Sequence, residues 1–175
     1  MEYWDIYDEN KQPTGRTMKR NDWCLKDGEY HLTVLGVVAR PDGTFLITKR
    51  VMTKAWAPGW WEVSGGAAQA GEDSYEAVLR EVKEETGYTL TSYRFCGIVT
   101  FVSGNGVTEY MHLFTADGFE GEPIACDEGE LEWVDIDKIE SLHIWEGDKI
   151  FLRLLAEKVP FFSLKLVYDE HDGLI

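Results

Sequence analysis

Apolar and polar positions along this chain follow two periods, and the places where the period changes outline the fold. WDIY (4–7) and the stretch around Gly15–Met18 flank the turn-rich DENKQP, a pattern that predicts a β-hairpin. The polar loop KRNDWCLKDGE follows, so residues 1–28 read as an N-terminal hairpin extension and residues 29–175 as one domain. YHLTVLGVVA is β-branched and apolar without alternation, as expected for a buried strand. PDG at 41–43 supplies a turn, after which FLITKR reads as a returning strand and WWEVS as a short one. TSYRFCGIVTFV and VTEYMHLFTADG are two longer strands joined by SGNG, a hairpin signal. LEWVDI reads as strand. GDKIFLRLLAEK predicts an amphipathic helix with Ile150, Phe151, Leu154 and Leu155 on its apolar face. Many strands with two helices indicate an α/β or α+β layered domain.

The first helix lies within GGAAQAGEDSYEAVLREVKEETGY (65–88). Asp73 or Ser74 can cap it, Glu76 completes a capping box with Asp73, and Gly87 suits the left-handed residue beyond its end. Tyr75, Val78, Leu79 and Val82 recur at spacings of three and four and make an apolar face. Glu81, Glu84 and Glu85 stand at i, i+3 and i+4, where like charges repel, and the last two face the unfavourable end of the helix dipole. A solvated face is the ordinary reading of such a run. Here only Arg80 and Lys83 lie near enough along the helix to offset the acids. A divalent cation resolves the conflict, since hard carboxylate oxygens on one face suit Mg²⁺ or Mn²⁺. Gly65 and Gly66 would let the backbone approach that ion.

Composition narrows the function further. The 175 residues carry 17 basic and 32 acidic side chains, a net charge of −15, with 44% hydrophobic and 13% aromatic residues. That is a globular composition. So acidic a surface argues against nucleic-acid polymers and anionic membranes as partners, while a metal ion could still reverse the field locally for a small anion. No apolar run approaches the ~20 residues of a membrane span, and the acidic start MEYWDIYDEN has no signal-peptide order. Cys24, Cys96 and Cys126 are odd in number and form no CxxC pair, which fits buried or idle thiols in a reducing cytoplasm.

Gly66, then Glu72 after five residues, then after seven more the run Arg80-Glu81-Val82-Lys83-Glu84-Glu85-Thr86-Gly87-Tyr88 resembles the Nudix box, with Tyr88 in place of the usual aliphatic residue. The resemblance implies an α/β/α sandwich with a mixed sheet, preceded here by the hairpin. It gives Glu84 and Glu85 the part of principal metal ligands, and Glu81 that of a ligand or of general base for the attacking water. Arg80 would orient these carboxylates, Glu72 would support them, and the Gly66 carbonyl would add a metal ligand. More loosely, FLITKR resembles the strand before the box, with Arg50, together with Lys49, facing substrate phosphate. DEGELEWVDIDKI resembles the segment after it, where Glu128 or Glu130 adds a base or ligand.

The implied activity is Mg²⁺- or Mn²⁺-dependent hydrolysis of a phosphoanhydride in a nucleoside diphosphate linked to another group, or in a related small diphosphate; related enzymes are often homodimers. Trp56, Trp60, Trp61, Phe101 and Tyr110 are aromatics near the expected pocket, and Trp60 and Tyr110 are taken as substrate-binding. Each also has the simpler reading of a packed core residue. The N-terminal pattern resembles the branch near isopentenyl-diphosphate isomerase, but PGWWEVSGG lacks the Cys and His that such isomerases use. Isomerase-like chemistry and a silent nucleotide-binding domain are the two alternatives.

Overall fold

A computed structural model describes residues 1–125, 127 and 129–175. The N-terminal hairpin forms as expected, with β1 (Tyr3–Tyr7) antiparallel to β2 (Pro13–Lys19). The hairpin is joined to the main sheet: β1 also pairs with β3 (Tyr30–Val38), setting Ile6 opposite His31. Trp4, Ile6 and Met18 are buried together, with Leu25 and Ala67 packed against them.

Beyond β3 come β4 (Thr44–Arg50), β5 (Trp61–Glu62), β6 (Ser64–Ala67), helix α1 (Ser74–Thr86), β7 (Thr89–Val102) and β8 (Thr108–Glu120). The chain then forms β9 (Gly129–Asp135), the short α2 (Ile136–Ile139), α3 (Glu146–Ala156) and β10 (Phe162–Val167). One mixed sheet runs β10-β7-β8-β3-β1-β2, with β6 also paired to β3, and a smaller sheet runs β5-β4-β9.

Two expectations are corrected here. PDG turns the chain, but FLITKR does not return along β3; apart from one Ala39–Phe45 bridge, β4 pairs with β5 and β9 in the smaller sheet. WWEVS is split between sheets, β5 joining β4 and β6 joining β3. Val63 lies at that break and is buried.

The alternation of β3 makes a sandwich of these layers. Val34 and Val38 pack with Ala77, Val78 and Val82 of α1, while Val37 packs on the other side with Phe151, Leu152 and Leu155 of α3. Gly36 permits the close approach of α1, since a Cβ there would lie 2.6 Å from a Val82 methyl. The buried face of α3 is rotated from the one expected: Leu152 is buried and Ile150 is exposed. On α1, Tyr75 is likewise exposed, and Ala77 takes its place in the core. In both helices large apolar residues flank the true stripe, so periodicity places it only to within one position.

Candidate active site

Helix α1 begins and ends as its residues dictate. The Asp73 carboxylate accepts from the Glu76 N–H and the Glu76 carboxylate accepts from the Asp73 N–H, closing the capping box. Gly87 ends the helix at φ 84°, and Lys83 donates to its carbonyl at 2.8 Å. Lys83 is therefore spent on the helix end. Arg80 answers three of the acids. Its guanidinium donates to Glu72 at 2.7 and 2.9 Å, to Glu81 at 2.8 Å, to Glu84 at 3.4 Å and to the Ala67 carbonyl at 3.1 Å. Much of the counter-charge that looked missing along the helix is thus supplied by one forked side chain.

The electrostatic consequences differ between partners. The Arg80 hydrogen bond holds the Glu72 carboxyl below its ordinary range. Glu81 is pushed the other way, because burial outweighs its bond to Arg80. Glu85 accepts from the Gly65 N–H at 3.3 Å. Gly66 lies directly against Glu81, and a Cβ at this position would stand 2.5 Å from Oε1, so the backbone here has room for a carboxylate and little else. These donors are all oxygens, and Glu81 is only partly solvated; both facts fit a hard divalent cation. As placed, no three described His, Cys, Asp or Glu side chains converge to hold an ion, since Arg80 draws the acids to itself. Glu84, 62% exposed, retains the rotamer freedom to change this.

The acids floor a cleft of about 700 Å³ whose lining also includes Glu2, Arg20, Arg50, Lys54, Glu62 and Asp127. Arg50 is in the cleft, as expected, but already engaged: it donates to both Glu62 oxygens at 2.8 and 3.0 Å and to the Trp56 carbonyl at 3.1 Å. Lys49 projects elsewhere, exposed and over the Trp61 ring at 5.8 Å, because neighbours on a strand face opposite ways. Glu130 is exposed on β9 opposite Lys49 and does not line the cleft, whereas Asp127 does. Glu128 lies outside the described residues.

Adjoining the acids through Gly65 and Gly66 is a mostly apolar cavity of about 430 Å³, lined by Trp56, Phe101, Trp145 and Tyr168 among others. Trp56 and Trp145 stack at 5.7 Å and 13°. Neither aromatic taken as substrate-binding is part of this lining. Trp60 is packed against His143 and Trp145 at 3.9 and 4.6 Å. Tyr110 sits on the other face of β8, against Tyr30 and under Lys11, while its neighbours Glu109 and Met111 face the cavity. Asp148 of α3 is a residue that sequence reasoning missed. It lines the cavity, and burial, reinforced by Glu62, pushes its carboxyl up to about 7. An acid in the first turn of an amphipathic helix reads as a capping charge, so only the packing of α3 exposes this role.

A mixed-sheet sandwich with a glycine turn and a Glu-rich helix at one edge defines a class. The chain matches the NUDIX domain over residues 29–155 and belongs to that family. It is 34% identical to the oxidized purine nucleoside triphosphate hydrolase of Danio rerio, over 82% of this chain and 90% of that protein. An uncharacterized Nudix hydrolase of Listeria monocytogenes is 30% identical over 97% of this chain and 95% of its own. Among solved structures, the MutT protein from Bacillus halodurans superposes with a TM-score of 0.73 at 26% identity, covering 83% of this chain and 94% of that one. The chain is a Nudix hydrolase, an enzyme of the pyrophosphohydrolase class.

Proposed function

We propose that this enzyme hydrolyses a phosphoanhydride bond of a nucleoside triphosphate, or of a nucleoside diphosphate carrying another group, in a divalent-metal-dependent reaction. The observation that carries the reading is the shared wall: Gly65 and Gly66 border both the carboxylate cleft and the aromatic cavity. One molecule with a phosphate chain and a flat ring would fill the two together. Similarity to the Danio rerio nucleoside triphosphate hydrolase and to the Salmonella nucleoside triphosphatase NudI, 38% identical over 72% of this chain, favours a nucleoside triphosphate.

Glu84, Glu85 and the Gly66 carbonyl would hold Mg²⁺ or Mn²⁺, which would supply charge neutralisation on the phosphates and a lowered pKa for the attacking water. Glu81 is the base in this reading. Water oxygen bonds to phosphorus, its proton passes to the Glu81 carboxylate, and the bridging P–O bond breaks in line. Arg80 keeps the acids oriented. Arg50 and Lys54, lining the cleft, face the phosphates, and Arg50 would exchange part of its bond to Glu62 for a phosphate oxygen.

In the aromatic cavity, the base packs against the stacked pair Trp56 and Trp145, and Asp148 in its protonated form donates to a base acceptor. The pH dependence follows from the raised Asp148 carboxyl. Its proton is present below about 7 and is lost as pH rises through that value. kcat/KM for the preferred nucleotide is therefore expected to fall above that pH in the wild type, and Asp148→Asn to lack that limb while binding more uniformly across pH. Michaelis profiles of both proteins between pH 5 and 9 read this directly. An unchanged limb in the variant would assign the titration to another group.

A further inference from the structure

Trp23 lies outside the residues matched to the family, in the loop after the N-terminal hairpin, and its large apolar ring is 56% exposed. Exposure alone is ordinary for a surface side chain. Its surroundings are not. Trp23 lines the same cavity as Trp56, Phe101 and Trp145, and so does Glu109 of β8. It also lines the adjoining hollow of about 660 Å³ with Trp56, Phe101, Glu109 and Trp145. Trp56, the other tryptophan left 56% exposed, reaches these hollows from a loop more than thirty residues further along the chain.

The ring is held from behind by buried groups. It meets Trp4 at 5.7 Å and the edge of His31 at 5.4 Å, and Trp4 and His31 stack at 5.0 Å and 12°. Trp4 and His31 are 7% and 2% exposed, and both lie on strands joined by the β1–β3 pairing. Neither ring nitrogen of His31 has a hydrogen-bond partner among the described residues, and Glu109 stands 3.6 Å from Nε2. The buried imidazole thus ties this cluster to the cavity-lining Glu109 of β8. The cluster sets an aromatic plate at the mouth of the slot.

We propose that Trp23 is a specificity-determining residue of the base slot, carried by the N-terminal extension and stacking on the nucleobase of the substrate. This rests on the nucleotide reading above, and it gives residues 1–28 a part in substrate selection. Stacking on an aromatic plate is tolerant of base identity and scales with ring area, so the larger purines gain more from Trp23 than pyrimidines do.

The test is equilibrium binding, with Mg²⁺ present, of non-hydrolysable imido analogues of the four nucleoside triphosphates and of inorganic triphosphate. Wild type, Trp23→Ala and Trp23→Phe are compared, and thermal melting checks that each is folded. The expected result is that wild type binds a purine analogue about tenfold or more tighter than inorganic triphosphate. Trp23→Ala should lose most of that difference with little change in triphosphate affinity, and Trp23→Phe should recover much of it. Three results would overturn the proposal: no preference for nucleotides in the wild type, an unaltered preference in Trp23→Ala, or equal losses on nucleotide and triphosphate. Binding with no turnover of the hydrolysable nucleotides would instead remove the proposed hydrolysis and leave the role of Trp23 standing.

Discussion

Replacing Glu85 with Gln is expected to lower kcat about 10³-fold or more, with the fold left intact. Glu85 lies in the last turn of α1, and its carboxylate accepts from the Gly65 N–H at 3.3 Å. An amide of the same shape keeps that acceptor and the packing of the helix. What it removes is the negative charge on a proposed metal ligand. The loss therefore appears in turnover and in the metal concentration needed for half-maximal rate, not in the melting temperature. Single-turnover rates across a Mg²⁺ titration, with a thermal melt alongside, separate the two. A variant that keeps most of its activity would place the metal elsewhere.

Arg80→Met is expected to damage both stability and activity. The guanidinium serves Glu72, Glu81, Glu84 and the Ala67 carbonyl at once, with its side chain only 19% exposed. Methionine fills the space but leaves carboxylates facing one another without a cation. We expect a loss of about 2–3 kcal/mol, below the range for fully buried pairs because Glu84 is well solvated. For a chain of this size that corresponds to a fall in Tm of roughly 5–10 °C.

The pH dependence has a definite sign. The Glu72 carboxyl is depressed by Arg80, so its stabilising contribution is present above the ordinary carboxylate range and is lost as pH falls through the lowered value. Glu81 is raised, so its burial penalty grows as pH climbs through its own value. The gap in stability between wild type and Arg80→Met should accordingly narrow in acid. Urea denaturation at pH 7 and near pH 4 measures the narrowing, and a gap that widens would show that Arg80 is not the counter-ion of these groups.

The parts of this site that were legible in the sequence are local ones. The capping box at Asp73 and Glu76, the left-handed Gly87 and the grouping of Glu81, Glu84 and Glu85 all follow from spacings within one helix. Arg80 was legible as a partner of the acids, though its bidentate grip on Glu72, eight residues earlier and before the helix starts, was not. The strand face was also elusive. Alternation says that Glu109 and Tyr110 point opposite ways but not which one meets the cavity, and it is Glu109 that lines it while Tyr110 packs on Tyr30. The same ambiguity separates Lys49 from Arg50.

The slot itself was nearly invisible, because its walls come from chain segments far apart. Trp23, Trp56, Phe101 and Trp145 meet only when the loop after the hairpin, the loop before the box, β7 and the start of α3 are brought together. Asp148 depends on the same assembly. Its carboxyl is unusual because of what packs around it, and no local pattern encodes that.

The decisive measurement is release of phosphate or diphosphate from a panel of nucleoside triphosphates and nucleoside diphosphate derivatives, with prenyl diphosphates included. It is run with Mg²⁺, and again with excess chelator. The account predicts turnover of at least one nucleotide with Mg²⁺, none in chelator, restoration on re-adding Mg²⁺, and near silence for Glu85→Gln throughout. Turnover that persists in chelator, or a prenyl diphosphate whose double bond migrates while every nucleotide is left intact, would contradict it.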